Sequence, residues 1–122
     1  MKLPTLALAL ALLCCAGCKL LRPSPSPVDS AAKHLAGTVQ TVDVAMHNHA
    51  RSVASDAVKV EDQITVKALY ENYQAAVHVA ESEIASAIRS GDSGRLAKTT
   101  ADLTYAREAL LGYLAKLNKP PP

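Results

Sequence analysis

Ser90-Gly91-Asp92-Ser93-Gly94 is the stretch that decides the fold, because it lies between two long segments with helical periodicity. Gly91 can adopt the left-handed conformation that closes a helix, and Asp92 or Ser93 can cap the helix that follows. A turn this short makes the two flanking helices antiparallel neighbours. The sequence therefore predicts an all-α protein built on a helical hairpin.

The segment after this turn carries a leucine at every seventh position: Leu96, Leu103, Leu110 and Leu117. Three residues after each of the first three leucines, the row continues with Thr99, Ala106 and Tyr113. Spacing of this kind is typical of a coiled-coil seam. We predict a helix over residues 95–118, with residues 119–122 as a proline tail, and we expect Leu103 to lie near Ala80 and Ile84.

The segment before the turn also reads as helix. Residues 28–89 contain no proline, and their apolar side chains recur at gaps of three and four. Ser26 offers a capping hydroxyl, Pro27 suits the first helical position, and Asp29 places a carboxylate in the first turn. We predict one long helix over residues 27–90.

The long helix has two weak points. Many β-branched residues lower its helix propensity. A break near Gly37, the one glycine in residues 28–89, or around Glu61 and Asp62 therefore stays open.

The two arms of this hairpin are unequal, since the second helix can cover the first only over about residues 64–89. An apolar stripe is left without a partner: Val39, Val42, Met46, Ala50, Val53, Ala57 and Val60. Either this portion folds back to give a three-helix bundle, or it self-associates or meets a helical partner as an oligomeric coiled coil.

Composition limits the possible functions. The 122 residues are 49% hydrophobic, mainly Ala, Val and Leu, with no Phe or Trp and four Tyr. A core of such small side chains is thin, which argues against a deep ligand cavity. The net charge of +2 is spread along the helices, whereas nucleic-acid binding needs a clustered basic face, so we expect no nucleic-acid partner.

The N-terminus has the pattern of an export signal. Met1 and Lys2 precede an apolar run over residues 3–13, which matches the hydrophobic region of a secretory signal peptide. The run is too short to span a bilayer, which takes about 20 apolar residues. It ends in Leu13-Cys14-Cys15-Ala16-Gly17-Cys18.

Ala16-Gly17-Cys18 resembles the lipobox of bacterial lipoproteins, which reads roughly Leu-Ala/Ser-Gly/Ala-Cys; Cys15 stands where that family usually has Leu. The resemblance implies that the signal peptide, residues 1–17, is removed and that Cys18 is the lipid-attachment residue, carrying acyl chains such as palmitate. The alternative is an ordinary signal peptide cut near Ala16, which would leave Cys18 as a free thiol.

The resemblance also bears on location. Asp after the lipidated cysteine often signals retention in the inner membrane, and this chain has Lys19 there. In a Gram-negative host this implies the periplasmic face of the outer membrane. Residues 18–26, with Pro23 and Pro25 alternating with serine, favour an extended tether that holds the helical domain, residues 27–118, off the lipid surface.

The histidines are the obvious candidates for metal ligands or general bases. His47 and His49 lie two residues apart, so on a helix they point in nearly opposite directions and cannot share a metal. His78 lies three residues before Glu81, which predicts a surface pair. His34 is isolated near the helix start. We therefore expect no metal site.

The remaining motifs give no catalytic residue. No Gly-x-Ser-x-Gly elbow occurs, and residues 91–94 lack the Gly-Lys-Ser/Thr ending of a phosphate loop. Tyr70 and Tyr73 are expected to flank the hairpin seam, with sugar stacking as the sharper alternative. We expect neither a cofactor nor enzymatic activity.

The function that these observations favour is a membrane-tethered periplasmic lipoprotein that acts as a non-enzymatic structural or protein-interaction module. One alternative is an assembly factor similar to a pilotin, the small lipoproteins that escort secretin subunits. Another is the outer-membrane subunit of a phage spanin, although the prolines of this chain lie at its two ends rather than in the middle.

Overall fold

The computed structural model describes residues 26–120, and this part of the chain forms three helices: α1 (Pro27–Ala54), α2 (Val60–Ser90) and α3 (Leu96–Leu117). Short loops join consecutive helices, so the three run antiparallel in turn. Residues 26–120 contain no strand, which confirms the all-α class. The predicted signal peptide, Cys18 and the tether as far as residue 25 lie outside the described residues.

The start of α1 is the predicted one. The Ser26 hydroxyl accepts a hydrogen bond from the Asp29 backbone N–H at 3.1 Å, and Pro27 is the first helical residue. The backbone N–H groups of the first helical turn have no acceptor within the helix. Proline has no N–H, so it leaves no donor unpaired at this position.

The prediction of one continuous helix over residues 27–90 is wrong. α1 ends at Ala54 and α2 begins at Val60. Of the two weak points, Gly37 lies inside α1, whereas the break falls just before Glu61 and Asp62. The first arm therefore folds back, and the hairpin becomes a three-helix bundle.

Polar side chains near the break account for its position. The Ser52 hydroxyl donates to the Asn48 carbonyl, and the Ser55 hydroxyl donates to the Ser52 carbonyl, at 3.2 and 3.0 Å. Bonds of this kind compete with the helical ladder. Asp56 then takes a left-handed conformation with φ of 55°, which aspartate tolerates better than most residues and which no helix continues through.

The core is centred on the leucine seam of α3, as predicted. All three helices contribute buried residues to the main cluster: Val42, Val66, Tyr73, Ala80, Leu103, Leu110 and Leu114. Leu103 and Ala80 share this cluster, in agreement with the predicted hairpin. Leu96 belongs to a smaller cluster with Ala31 and Ala87. Both α1 and α2 pack mainly on α3 and touch each other least.

Part of the apolar stripe of the first arm packs inside this bundle. Val42 is fully buried, and Val39, Met46 and Val53 are partly buried. Ala50, Ala57 and Val60 are exposed, and Val60 has 68% of its surface exposed. Of the two alternatives for this stripe, the structure has the one in which it folds back as a third helix.

The turn between α2 and α3 follows the prediction in part. Gly91 has a φ of 74°, and its N–H donates to the Ala87 carbonyl at 2.9 Å, closing α2. The prediction that Asp92 or Ser93 caps α3 through its side chain is wrong. The Asp92 carboxylate instead accepts from the Gly94 N–H at 2.9 Å, because that donor lies within the same tight turn.

The two ends of the bundle are distinct. Ala31 packs with Ala87 and Leu96, so the start of α1 lies beside the α2–α3 turn. The loop of residues 55–59 and the end of α3 lie at the opposite end. The 31 residues of α2 measure roughly 46 Å at 1.5 Å per residue, which sets the length of the bundle.

Val42 and Val44 offer a matched test of this core. Val42 is fully buried and Val44 is 59% exposed, two residues apart in α1. Both Val→Ala substitutions gain the same helix propensity, but only Val42→Ala removes two buried methyl groups. We expect Val42→Ala to be less stable than Val44→Ala by about 2 kcal/mol in urea unfolding followed by circular dichroism. Equal stabilities would show that α1 does not pack as described.

Candidate partner-binding groove

A groove opens between α1 and α2 near the end of the bundle where the chain enters. Its volume is about 310 Å³, and its walls are Ala32, Leu35 and Ala36 from α1 and Glu81, Ile84, Ala85 and Ile88 from α2. The groove exists because α1 and α2 touch each other least and because alanines face it. It is an open apolar channel between two helices.

The lining of this groove suits an apolar row of side chains. Ile88 stands at its edge with 67% of its surface exposed, and Leu35 and Ile84 are partly buried below. Glu81 is the one charged residue in the lining. A groove of this kind is the usual receptor for one face of an amphipathic helix, whose apolar residues repeat every three or four positions.

A second, smaller hollow follows along the same side of the bundle. Its volume is about 170 Å³, and Val39, Asp43, Tyr70, Tyr73, Gln74, Val77 and His78 line it. The rings of Tyr70 and Tyr73 stack with centroids 5.8 Å apart. Tyr73 is only 3% exposed, so its ring belongs to the core, and of this pair only Tyr70 presents aromatic surface that a sugar could meet.

The surroundings of Tyr73 raise the pKa of its hydroxyl from 10 to about 12. Burial is the main cause, since it disfavours the charged phenolate; the Asp43 carboxylate and Tyr70 add to it. The raised pKa keeps the Tyr73 hydroxyl neutral at physiological pH, so Tyr73 offers no phenolate that could act as a base or ligand.

Two histidines have partners in the bundle. The prediction that His34 is isolated is wrong, because its Nε2 lies 3.0 Å from the Thr104 hydroxyl of α3. The predicted pair is confirmed: His78 Nδ1 lies 3.5 Å from a Glu81 oxygen at the protein surface. Over residues 26–120, no group of three His, Cys, Asp or Glu side chains is placed to hold a metal ion.

Polar contacts between distant segments were not foreseen. The Tyr113 hydroxyl donates to the Asp62 carboxylate at 2.7 Å, which raises the pKa of Tyr113, and the Arg107 guanidinium reaches the buried Thr38 hydroxyl at 3.5 Å. Periodicity shows which residues face the core, but it does not show which polar groups meet across 50 or more residues. These bonds fix α3 against both neighbours.

No protein-family model, no curated protein and no solved structure matches this chain. Among the helices of residues 26–120, none combines the length and the apolar character that a membrane span requires.

Tyr73→Phe tests the effect of the Tyr73 environment on the pKa of this residue. Because the folded-state pKa lies above the unfolded value, the unfolded chain loses this proton first, and stability falls as pH rises from about 10 to 12. We expect Tyr73→Phe to match the wild type at pH 7 and to lose less stability up to pH 11.5 in urea unfolding.

Some alkaline loss should remain in Tyr73→Phe, since the pKa of Tyr113 is also raised. Tyr105→Phe is the control, because Tyr105 is 79% exposed. If Tyr105→Phe changed the pH dependence as much as Tyr73→Phe, the assigned burial of Tyr73 would be wrong.

Proposed function

We propose that this chain is a lipid-anchored lipoprotein of the periplasmic face of the outer membrane, and that it is a non-enzymatic module that binds a protein partner in the α1–α2 groove. The groove is the observation that carries the binding role. The lipobox Ala16-Gly17-Cys18 supports the anchor.

The place where the chain enters the bundle supports this combination. Ser26 caps α1 at the same end as the groove, whose α1 wall begins at Ala32. Ser26 is eight positions after Cys18, with seven residues between them. At about 3.1 Å per position, an extended proline-rich tether of this length would reach about 25 Å. A partner in the groove would therefore lie close to the lipid surface, beside other envelope proteins.

The chemistry of the groove defines the partner segment. Its walls require a short amphipathic helix with apolar residues at i, i+3 or i+4, and i+7. Glu81 at the wall favours a basic residue beside that apolar row. Amphipathic helices of this type occur both in folded proteins and in disordered segments that fold on binding.

The same groove favours a second candidate function, that of a pilotin-like assembly factor. Escorting one subunit requires a surface that holds one of its helices, and the shallow apolar groove between α1 and α2 supports this alternative. The groove offers no comparable support for the spanin alternative.

The anchor is tested by Cys18→Ala in a Gram-negative host. We expect the full-length chain to incorporate labelled palmitate and to fractionate with membranes, and we expect Cys18→Ala to do neither. Cys14→Ala is the matched control, since Cys14 lies outside the four lipobox positions, residues 15–18, and is expected to leave with residues 1–17. An unchanged mass and location of Cys18→Ala would contradict the lipoprotein assignment.

The groove is tested separately, by photo-crosslinking in cells. A photoreactive phenylalanine analogue replaces Ala36 or Ala85, which line the groove, or Ala101 or Ala109, which are exposed on α3. We expect the two groove positions to give one adduct of discrete mass and the two α3 positions to give none. Equal adducts from all four positions would contradict the groove assignment and leave the lipid assignment unaffected.

A further inference from the structure

The α1–α2 groove opens at the end of the bundle where the chain enters α1. Its α1 wall extends from Ala32 to Ala36, and its α2 wall extends from Ile88 back to Glu81. Ser26 caps α1 at this same end, six positions before the first residue of the wall. The residues that precede Ser26 therefore start close to the mouth of the groove.

Two leucines lie in the short stretch that leads to Ser26. The sequence there reads Lys19-Leu20-Leu21-Arg22, and these leucines are the only apolar residues other than proline in residues 19–26. A stretch that served only as a spacer would gain nothing from large apolar side chains, because their exposure to water is unfavourable. We call residues 19–22 the entry segment; it lies outside the described residues.

We propose that the entry segment folds back into the α1–α2 groove when no partner occupies it, with its leucines packed between the two helix walls. This inference rests on the groove of the proposed function and gives that groove an occupant from the same chain. A partner then has to displace the entry segment, so the tether regulates access to the groove.

The length of the chain allows this contact. Leu21 is five positions before Ser26, so at about 3.1 Å per position it can reach about 16 Å from Ser26. Ala32, the first residue of the α1 wall, lies about 9 Å from Ser26 along the helix. The difference leaves chain for the reversal of direction that the contact requires, and Ser24-Pro25 is a pair that favours turns.

Charge complements the apolar match. Glu81 is the one charged residue of the groove lining, and it lies about 10 Å further along α2 from the mouth than Ile88. In a segment that folds back from the mouth, Arg22 comes first and Lys19 lies deepest, so Lys19 is the cation placed to meet Glu81. One oxygen of this carboxylate lies 3.5 Å from His78 Nδ1, which leaves the other oxygen for Lys19.

Docking of the entry segment changes the distance between the bundle and the lipid, if the proposed anchor holds. With the segment in the groove, Cys18 is held against the bundle, and the bundle lies close to the membrane. With a partner in the groove, the tether is free to extend to its reach of about 25 Å. Because the segment is linked to the groove, it competes with a partner at a high effective concentration.

Photo-crosslinking within the purified full chain tests the docking in the absence of a partner. A photoreactive phenylalanine analogue replaces Leu21, and the irradiated chain is digested with trypsin. The analogue is released in the peptide of residues 20–33, because trypsin does not cut at Arg22, which precedes a proline. The same peptide results whether or not Cys18 carries lipid, so the test does not depend on the anchor.

The α3 side of α1 provides the control. The peptide of residues 68–89 carries the α2 wall of the groove, and the peptide of residues 99–107 contains Thr104, which lies against His34 on the other side of α1. We expect roughly fivefold more cross-links to residues 68–89 than to residues 99–107. Equal yields would indicate a segment that passes both neighbours of α1 without docking, and this result or the absence of any cross-link to residues 68–89 would overturn the proposal.

Charge neutralisation provides a second test on the same cross-link. Glu81→Gln removes the carboxylate of the groove, and Glu71→Gln, which is exposed on the same helix, is the matched control. We expect Glu81→Gln to lower the cross-link to residues 68–89 roughly twofold, the size of an exposed ion pair, and Glu71→Gln to leave it unchanged. Equal effects of the two variants would overturn the contact between Lys19 and Glu81.

Failure of this proposal is distinguishable from failure of the proposed function. The purified chain reports on the entry segment alone, whereas the adducts formed in cells at Ala36 and Ala85 report on the partner. We expect the double variant Leu20→Ser and Leu21→Ser to raise the yield of those adducts roughly threefold, because a linked competitor has been removed. An unchanged yield would contradict the competition even where the partner itself is found.

Discussion

The leucine seam of α3 is the packing interaction on which the rest of the structure depends. Leu103 and Leu110 are almost fully buried, and they are the largest fully buried side chains in the described part of the chain. With no Phe or Trp available, no other helix offers a comparable row. Because burial of large apolar side chains is the main driving force for packing, α1 and α2 both pack on this seam. Their contact with each other is the weakest in the bundle.

The groove and the exposed apolar residues of α2 both follow from this arrangement. The two helices that share this seam contact each other least, and a channel stays open where Ala32, Ala36 and Ala85 offer only short side chains. The seam can cover only one side of α2, and the opposite side retains Val60, Ile64 and Val79 at the surface. The groove and these exposed residues are therefore the apolar parts of α1 and α2 that the leucine seam of α3 does not cover.

Periodicity predicted the fold class, the α3 seam and the start of α1 at Ser26, because each depends on residues close together in the sequence. It left open a break around Glu61 and Asp62, but it did not place the loop after Ala54, where the hydroxyls of Ser52 and Ser55 and the left-handed Asp56 end the helix. The sequence also did not predict the groove. The width of this channel depends on how closely α1 and α2 approach each other, and their packing on α3 sets that distance.

Three exposed residues of α2, Val60, Ile64 and Val79, are unfavourable for a helix in water. Val and Ile at exposed helical positions lower helix stability relative to Ala, Glu, Lys or Gln, and they also expose apolar surface to water. At Val60, Ile64 and Val79 the chain therefore carries two costs at once, in a bundle whose thin core leaves little stability to spare. A contact with another surface would offset both costs, since it would remove the apolar area from water and restrain the helix on which these residues lie.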